Sequence, residues 1–283
     1  MNNVFKTAIL MAALAGIMLA LGLLIAGQTG LIIALVLALV FNFISYRWGH
    51  RFVLWIYNAK ELAPGEHPEL VRIVKEVSNK AGIPVPKIYI TPTEMPNAFA
   101  AGPNPKNSIV ACTAGILKTL NEDELKGVLA HEISHIKNRD VLIATIAATV
   151  AAVISYIAAM ARFSALFGLG GDRDNGPNII ELLLIGILAP LIAMLIQLAI
   201  SRAREYNADE SGAKLLHNGK GLASALQKIE DFTSGHNIQG STAQETTASL
   251  FIANPFKSKS IFKFFSTHPP TEDRIARLKA LRF

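Results

Sequence analysis

The sequence predicts an α-helical membrane protein with about four transmembrane helices and an α+β domain on the cytoplasmic side. Three observations carry this. Hydrophobic residues make up 51% of the 283 residues and charged ones only 17%. The apolar excess is gathered into runs without any charge, from Thr7 to Tyr46, Val141 to Ala161 and Leu182 to Ile200, and a helix needs roughly 20 apolar residues to cross the hydrocarbon core. Finally, Lys6, Arg47, Arg51, Lys137, Arg139, Arg202 and Arg204 cluster beside those runs, while the sequence outside them reads as short strands and amphipathic helices.

Residues 1–58 form an N-terminal transmembrane hairpin. Its uncharged run is long enough for two crossings, with Gln28-Thr29-Gly30 as the tight connection. Lys6 followed by apolar residues looks superficially like a secretion signal. The run to Gly27 nevertheless exceeds the roughly 7–15 residues of a signal core, and a second run follows at once, so the hairpin is expected to be retained. The connection lacks Lys and Arg, and in the loop 162–178 two Arg are offset by Asp172 and Asp174. The positive-inside rule then puts both termini and the segment from Arg47 to Asp140 in the cytoplasm. Topology accounts for the net charge of +6, and no nucleic-acid surface is implied.

Residues 59–140 are the first part of the soluble domain. Leu70, Val71, Ile73, Val74 and Val77 follow helical spacing, with Gly82 as the stop. KIYIT (87–91) reads as a strand, and NAFAAG (97–102) with SIVACT (108–113), joined by PNPKN, as a hairpin. The single cysteine, Cys112, excludes an intrachain disulfide and sits among Ile109, Val110 and Ala111 as a packed strand residue. Asn121 and Glu124 make a capping-box pattern that opens a helix through Leu125, Val128, Leu129 and Ile136. No Gly or Pro separates it from Val141, so it is expected to run unbroken into the membrane.

Residues 141–200 form the second hairpin, in which Pro190 predicts a kink. Residues 201–283 return to polar character and supply the rest of the soluble domain. HNIQGSTAQETTAS (236–249) reads as a flexible loop, and the chain ends in a Pro-Pro turn and a basic helix, Thr271–Leu281.

The motif that carries chemistry is HEISH (131–135). Two histidines four apart share a helix face and can grip one cation, and zinc accepts such nitrogens while keeping one position open for water. Glu132 would stand beside that water as its general base. A third protein ligand is needed. Val141 and Asn138 occupy the positions where a nearby Gly-then-His continuation would stand, which leaves a distant carboxylate or His. Glu205 stands out because it follows the second inner span as the HEISH helix precedes the first. His135 to Val141 is about 9 Å along a helix and Ile200 to Glu205 slightly less, so an antiparallel pair would bring them to similar height. Asp209, one turn on, could accept the second N–H of a ligand histidine, or form an ordinary salt bridge with Arg202 or Arg204. His50, His67, His217 and His236 have no motif around them.

HEISH, NAFAAG, SRAREYNAD and the final STHPPTEDRIARL together resemble the HtpX group of membrane zinc metalloproteases, relatives of the prenyl-protein CAAX endoprotease. The resemblance covers nearly the whole chain. It implies a zincin-like (gluzincin) catalytic domain, one Zn2+ per chain held by His131, His135 and Glu205, and Glu132 as catalytic acid/base. It also implies that the strand Asn97-Ala98-Phe99-Ala100 pairs with the substrate backbone, and that His268 and Arg274 stabilise the oxyanion. The expected activity is that of a zinc metalloendopeptidase in the cell membrane that acts on damaged or unfolded membrane proteins from the cytoplasmic side. Processing of lipid-modified peptides is the alternative enzyme reading. A membrane chaperone or scaffold with a structural zinc is the non-enzymatic one, although three ligands leave the open position that structural sites usually close.

Overall fold

The computed structural model describes residues 3–166, 179–235 and 268–283. In chain order these give α1 (Asn3–Leu21), a π-helical turn (Gly22–Ala26), α2 (Gly27–Ile56), β1 (Lys60–Glu61), α3 (Pro68–Ala81), β2 (Lys87–Thr91), β3 (Ala98–Ala101), β4 (Ile109–Thr113), α4 (Ala114–Thr119), α5 (Glu122–Lys137), α6 (Asp140–Leu166), α7 (Ile179–Leu216), α8 (Lys220–Gly235) and α9 (Thr271–Ala280). The expected loop at 236–249 and most of the loop 162–178 lie outside the described residues. The chain divides into two units, Met1–Ser45 with Ile143–Ser201 and Tyr46–Leu142 with Arg202–Phe283.

In the first unit, Leu14 and Met18 of α1, Ala147, Ala151, Ile154 and Ala158 of α6, and Ala189, Ala193 and Ile200 of α7 form one buried cluster. Alanines four apart, Ala147 with Ala151 and Ala189 with Ala193, let helices approach closely where lipid offers no hydrophobic drive. Among the described residues three helices are long and apolar enough to cross a membrane, at Phe5–Leu24, Asp140–Phe163 and Ile179–Leu216. The fourth expected span falls in the first part of α2, which is helical and exposes Ile32, Leu35, Val36, Leu39 and Val40 but is not among those three. The connection expected at Gln28-Thr29-Gly30 is corrected: these residues lie inside α2, and the backbone departs from helix at Gly27, with φ +60° and ψ −175°. Only glycine takes that conformation cheaply.

Pro190 sits inside α7, which continues through it. Lacking an N–H, it leaves the Gly186 carbonyl without its helical donor. Arg162 of α6 supplies one, donating from Nη1 to that carbonyl, and Gly186 makes the room, since a Cβ there would fall 2.4 Å from Arg162 Cγ. Arg162→Leu is therefore expected to lower stability in detergent by about 1–3 kcal/mol, the cost of an orphaned buried acceptor. Most of the loss should disappear in a Pro190→Ala background, where the helix provides its own donor. Strictly additive losses in that double-mutant cycle would refute the pairing.

The second unit is built on a four-stranded sheet in the order β1-β2-β4-β3. β2 and β4 are parallel, from Lys87↔Ile109 to Thr91↔Thr113. β3 and β4 form the antiparallel hairpin, Ala98↔Cys112 to Ala101↔Ile109, which leaves β3 at the sheet edge. One face packs on helices, through Leu70, Ile73, Val74 and Val77 of α3, Val128, Leu129 and Ile133 of α5, and Leu222, Leu226 and Ile229 of α8. Cys112 is fully buried in this core, and burial pushes its thiol up to about 12, which fits packing and not nucleophilic chemistry. The other face of the hairpin meets the end of α2: Tyr57, Val53, Leu54 and Ile56 pack with Phe99, Ala101, Ile109 and Ala111. Residues 46–58, grouped by sequence with the membrane hairpin, thus cluster with the sheet.

α5 opens with the expected capping box, Asn121 accepting from Glu124 N–H and Glu124 from Asn121 N–H. Its expected continuation into the membrane is corrected. α5 ends at Lys137, and Arg139 takes φ +56° before α6 starts at Asp140. A left-handed arginine costs on the order of 1–2 kcal/mol, and the contacts of Asp140 described below offset it.

Candidate active site

Every residue of the site belongs to the second unit. α5 presents His131 and His135 on one face, and the last part of α7 presents Glu205. The two Nε2 atoms lie 3.0 Å apart. Glu205 Oε2 is 3.6 Å from His131 Nε2 and Glu205 Oε1 is 3.4 Å from His135 Nε2. Helix α7 reaches this close because residue 212 is glycine: a Cβ there would stand 2.9 Å from the His131 backbone nitrogen.

Each imidazole is turned by a carboxylate behind it. His135 Nδ1 is 2.7 Å from Asp140 Oδ2, and His131 Nδ1 is 2.9 Å from Asp209 Oδ1 in a bent contact. An ionised carboxylate can only accept, so each contact favours a proton on Nδ1, and both Nε2 atoms, once deprotonated, turn their lone pairs to the same point. The carboxylates are held in turn. Arg274, buried on α9, donates to Asp209 through Nε at 2.8 Å and Nη2 at 2.7 Å, and Arg204 donates to Asp140 Oδ1 through Nε and contacts it through Nη2. His268 Nδ1 stands 3.0 Å from Glu205 Oε2, and Arg274 Nη1 is 3.5 Å from the same oxygen.

The donor set fits a divalent metal. Two imidazole lone pairs and a carboxylate converge with all three ligand atoms within 4.8 Å of one another. Glu205 Oε2, buried, lacks an aligned hydrogen-bond donor. Four buried carboxylates, Glu132, Asp140, Glu205 and Asp209, face two buried guanidiniums, Arg204 and Arg274, and a dication between the histidines would offset the difference. Burial favours the neutral acids, yet His268 and the two site histidines hold Glu205 well below the usual carboxylate range, and Arg274 and His131 bring Asp209 down to about 2. Burial alone would lower His135, but Asp140 and Glu205 push it well above its ordinary value. The pocket attracts a cation, whether proton or metal.

Glu132 is different. Its carboxyl is buried, and desolvation raises its pKa against the pull of the two histidines. Its Oε2 accepts from the Ala100 N–H at 2.8 Å, which ties the group to the edge strand. Thr113 N–H donates to the Asn97 carbonyl, so by antiparallel alternation residues 97, 99 and 101 bond to β4 while Ala98 and Ala100 turn their main-chain groups outward. Of the four residues expected to meet substrate, Ala98 is placed to pair with an added strand, and Ala100 can do so only through its carbonyl because its N–H bonds Glu132. Asn97 bonds toward β4, and the Phe99 ring packs 5.6 Å from that of Tyr57.

The remaining sequence-derived site residues, His131, Glu132, His135, Glu205, Asp209, His268 and Arg274, come together in one cluster. Asp140 and Arg204 were missed as site residues. On an unbroken helix Asp140 would sit roughly 140° around from His135 and face away. The turn at Arg139 brings it back, and no glycine announces that turn.

The sequence model of peptidase family M48 matches residues 64–282, a span that contains this whole cluster. The chain belongs to peptidase family M48. As an M48 chain it is 46% identical to the protease HtpX homolog of Syntrophobacter fumaroxidans, over 99% of this chain and 100% of that one. It is 50% identical to the protease HtpX homolog of Pyrococcus furiosus, over 98% and 95%. Among solved structures it is similar to S. mikatae Ste24p, with a TM-score of 0.60 at 20% identity. That likeness covers 97% of this chain and 65% of the longer one, and it bears on the fold.

Proposed function

We propose that this M48 chain is a membrane-integrated zinc endopeptidase that cleaves membrane-protein segments or unfolded polypeptides on the cytoplasmic side, with four spans and both termini in the cytoplasm. The observation that carries the peptidase reading is the convergence of His131, His135 and Glu205 next to Glu132, which is itself bonded to an edge strand. The basic residues flanking the apolar runs support the sidedness.

His131, His135 and Glu205 would hold the zinc, which when bound activates water and polarises a peptide carbonyl. Glu132 takes a proton from the attacking water and returns it to the departing amine; its raised pKa brings it nearer the working pH, where a base does this best. Ala98, and Ala100 through its carbonyl, offer outward main-chain groups to a substrate strand, while the Ala100 N–H holds Glu132. Strand addition reads backbone and tolerates many sequences, as a protease of damaged proteins requires. Asp140 and Asp209 keep the imidazoles in the metal-binding tautomer. Arg274 has two bonds to Asp209, so its role is to position that carboxylate, and His268 beside Glu205 is the better supported candidate for steadying the developing oxyanion.

Purified in detergent and stripped with a chelator, the protein should lose cleavage of an unfolded protein and regain it on zinc add-back. Full activity after verified metal removal would overturn the reading. Acid should act in the same direction. His135 holds a proton well above its ordinary 6.5, the metal needs it deprotonated, and zinc affinity should therefore fall with pH starting from above 6.5. A chromophoric chelator reports that release, and flat affinity between neutral pH and pH 5 would contradict it.

A further inference from the structure

Helix α2 ends in a face of unusual composition. Trp48, Phe52 and Trp55 stand at helical spacings of four and three and are 44%, 60% and 75% exposed, with Arg47 and Arg51, also exposed, on the same side. Phe52 and Trp55 stack at 5.9 Å, and the Arg47 guanidinium lies 5.7 Å from the centre of the Trp48 ring. No acidic residue occurs before Glu61, so nothing along this helix neutralises the two arginines. Length agrees with composition. Counting about 20 residues of hydrocarbon crossing from Gly27 reaches Arg47, the point where a helix leaves the acyl chains and enters the headgroups. Tryptophan favours that depth because its ring is apolar and its N–H polar, and arginine there meets lipid phosphate.

The opposite side of the same helix end, through Val53, Leu54 and Tyr57, packs on the β3–β4 hairpin, with Tyr57 against Phe99. One helix end therefore carries an exposed aromatic-basic face on one side and the edge strand on the other. We infer that Arg47, Trp48, Arg51, Phe52 and Trp55 form an anchor for anionic phospholipid headgroups, which seats β3 at headgroup depth. The lipid contact stands on its own. Its consequence for substrate choice, a preference for chain lying next to the membrane surface, rests on the peptidase reading.

The chain has two tryptophans, and both lie on this face, so tryptophan emission, excited selectively over the five tyrosines, reports this surface. The full-length protein would be placed in nanodiscs of phosphatidylcholine with or without phosphatidylglycerol, with bromine carried at shallow or deep acyl positions. Trp48→Phe and Trp55→Phe variants assign the signal to each ring. The expected result is strong quenching by shallow bromine, weaker quenching by deep bromine and poor access for aqueous iodide. Arg47→Gln/Arg51→Gln should lose the added blue shift that phosphatidylglycerol brings while keeping the wild-type circular dichroism and zinc content. Free glycerol phosphate should not reproduce the shift; if it does, the site binds soluble phosphate and the lipid assignment fails. Quenching of both rings by iodide but not by brominated lipid would overturn the anchor. No turnover is measured, so a failure here leaves the peptidase reading untouched, and failed cleavage leaves this result standing.

Discussion

Glu132→Gln is expected to keep zinc bound and the fold intact while lowering peptide cleavage by about 10²–10⁴-fold, the usual contribution of a positioned proton-transfer group. The amide has nearly the same shape as the carboxylate, and its oxygen can still accept from the Ala100 N–H that now bonds Glu132 Oε2 at 2.8 Å. What it cannot do is take a proton from water. Metal content and cleavage of an unfolded protein, measured on the same preparation, separate these effects. Undiminished turnover would remove Glu132 from the mechanism, whereas loss of zinc together with activity would mean that the residue holds the site together.

Glu205→Ala should have the larger effect on the metal. It removes one of the three proposed ligands, and with it the negative charge set between His131, His135, His268 and Arg274. Zinc affinity should fall by more than the roughly 10–100-fold that losing an outer partner of a ligand costs. Asp140→Asn supplies that smaller comparison. Its amide can still accept from His135 Nδ1 at the 2.7 Å contact but no longer balances Arg204. Titration against a competing chelator ranks the two variants, and equal zinc occupancy in Glu205→Ala and wild type would exclude the carboxylate as a ligand.

What could be seen in the sequence were features governed by local rules. The i, i+4 spacing of His131 and His135, the Asn121–Glu124 cap and the turn residues between β3 and β4 all follow from backbone geometry within a few residues. Glu205 was reachable by one further step, because two helices joined as a hairpin return their ends to the same level. Asp140 and Arg204 were not reachable in this way. Their placement needs a left-handed arginine at 139, a conformation that local propensity argues against and that distant contacts hold in place. The duty of Arg274 was hidden for a similar reason: its partner Asp209 lies 65 positions earlier in the chain, and no local pattern pairs them. Gly27 shows the opposite case, a glycine present in the sequence and passed over for its polar neighbours.

The proposed ligands His131 and His135 are made early in synthesis, and Glu205 only after α6 and most of α7 have been translated. Until then the nascent chain has two imidazoles and a base but an incomplete grip on a cation. A ribosome-bound fragment ending before residue 205 should therefore be harmless to itself and to its neighbours, and hydrolytic competence arrives only with the late segment. On the proposed ligand set, the long segment between the two halves would postpone completion of the site until residue 205 has been made.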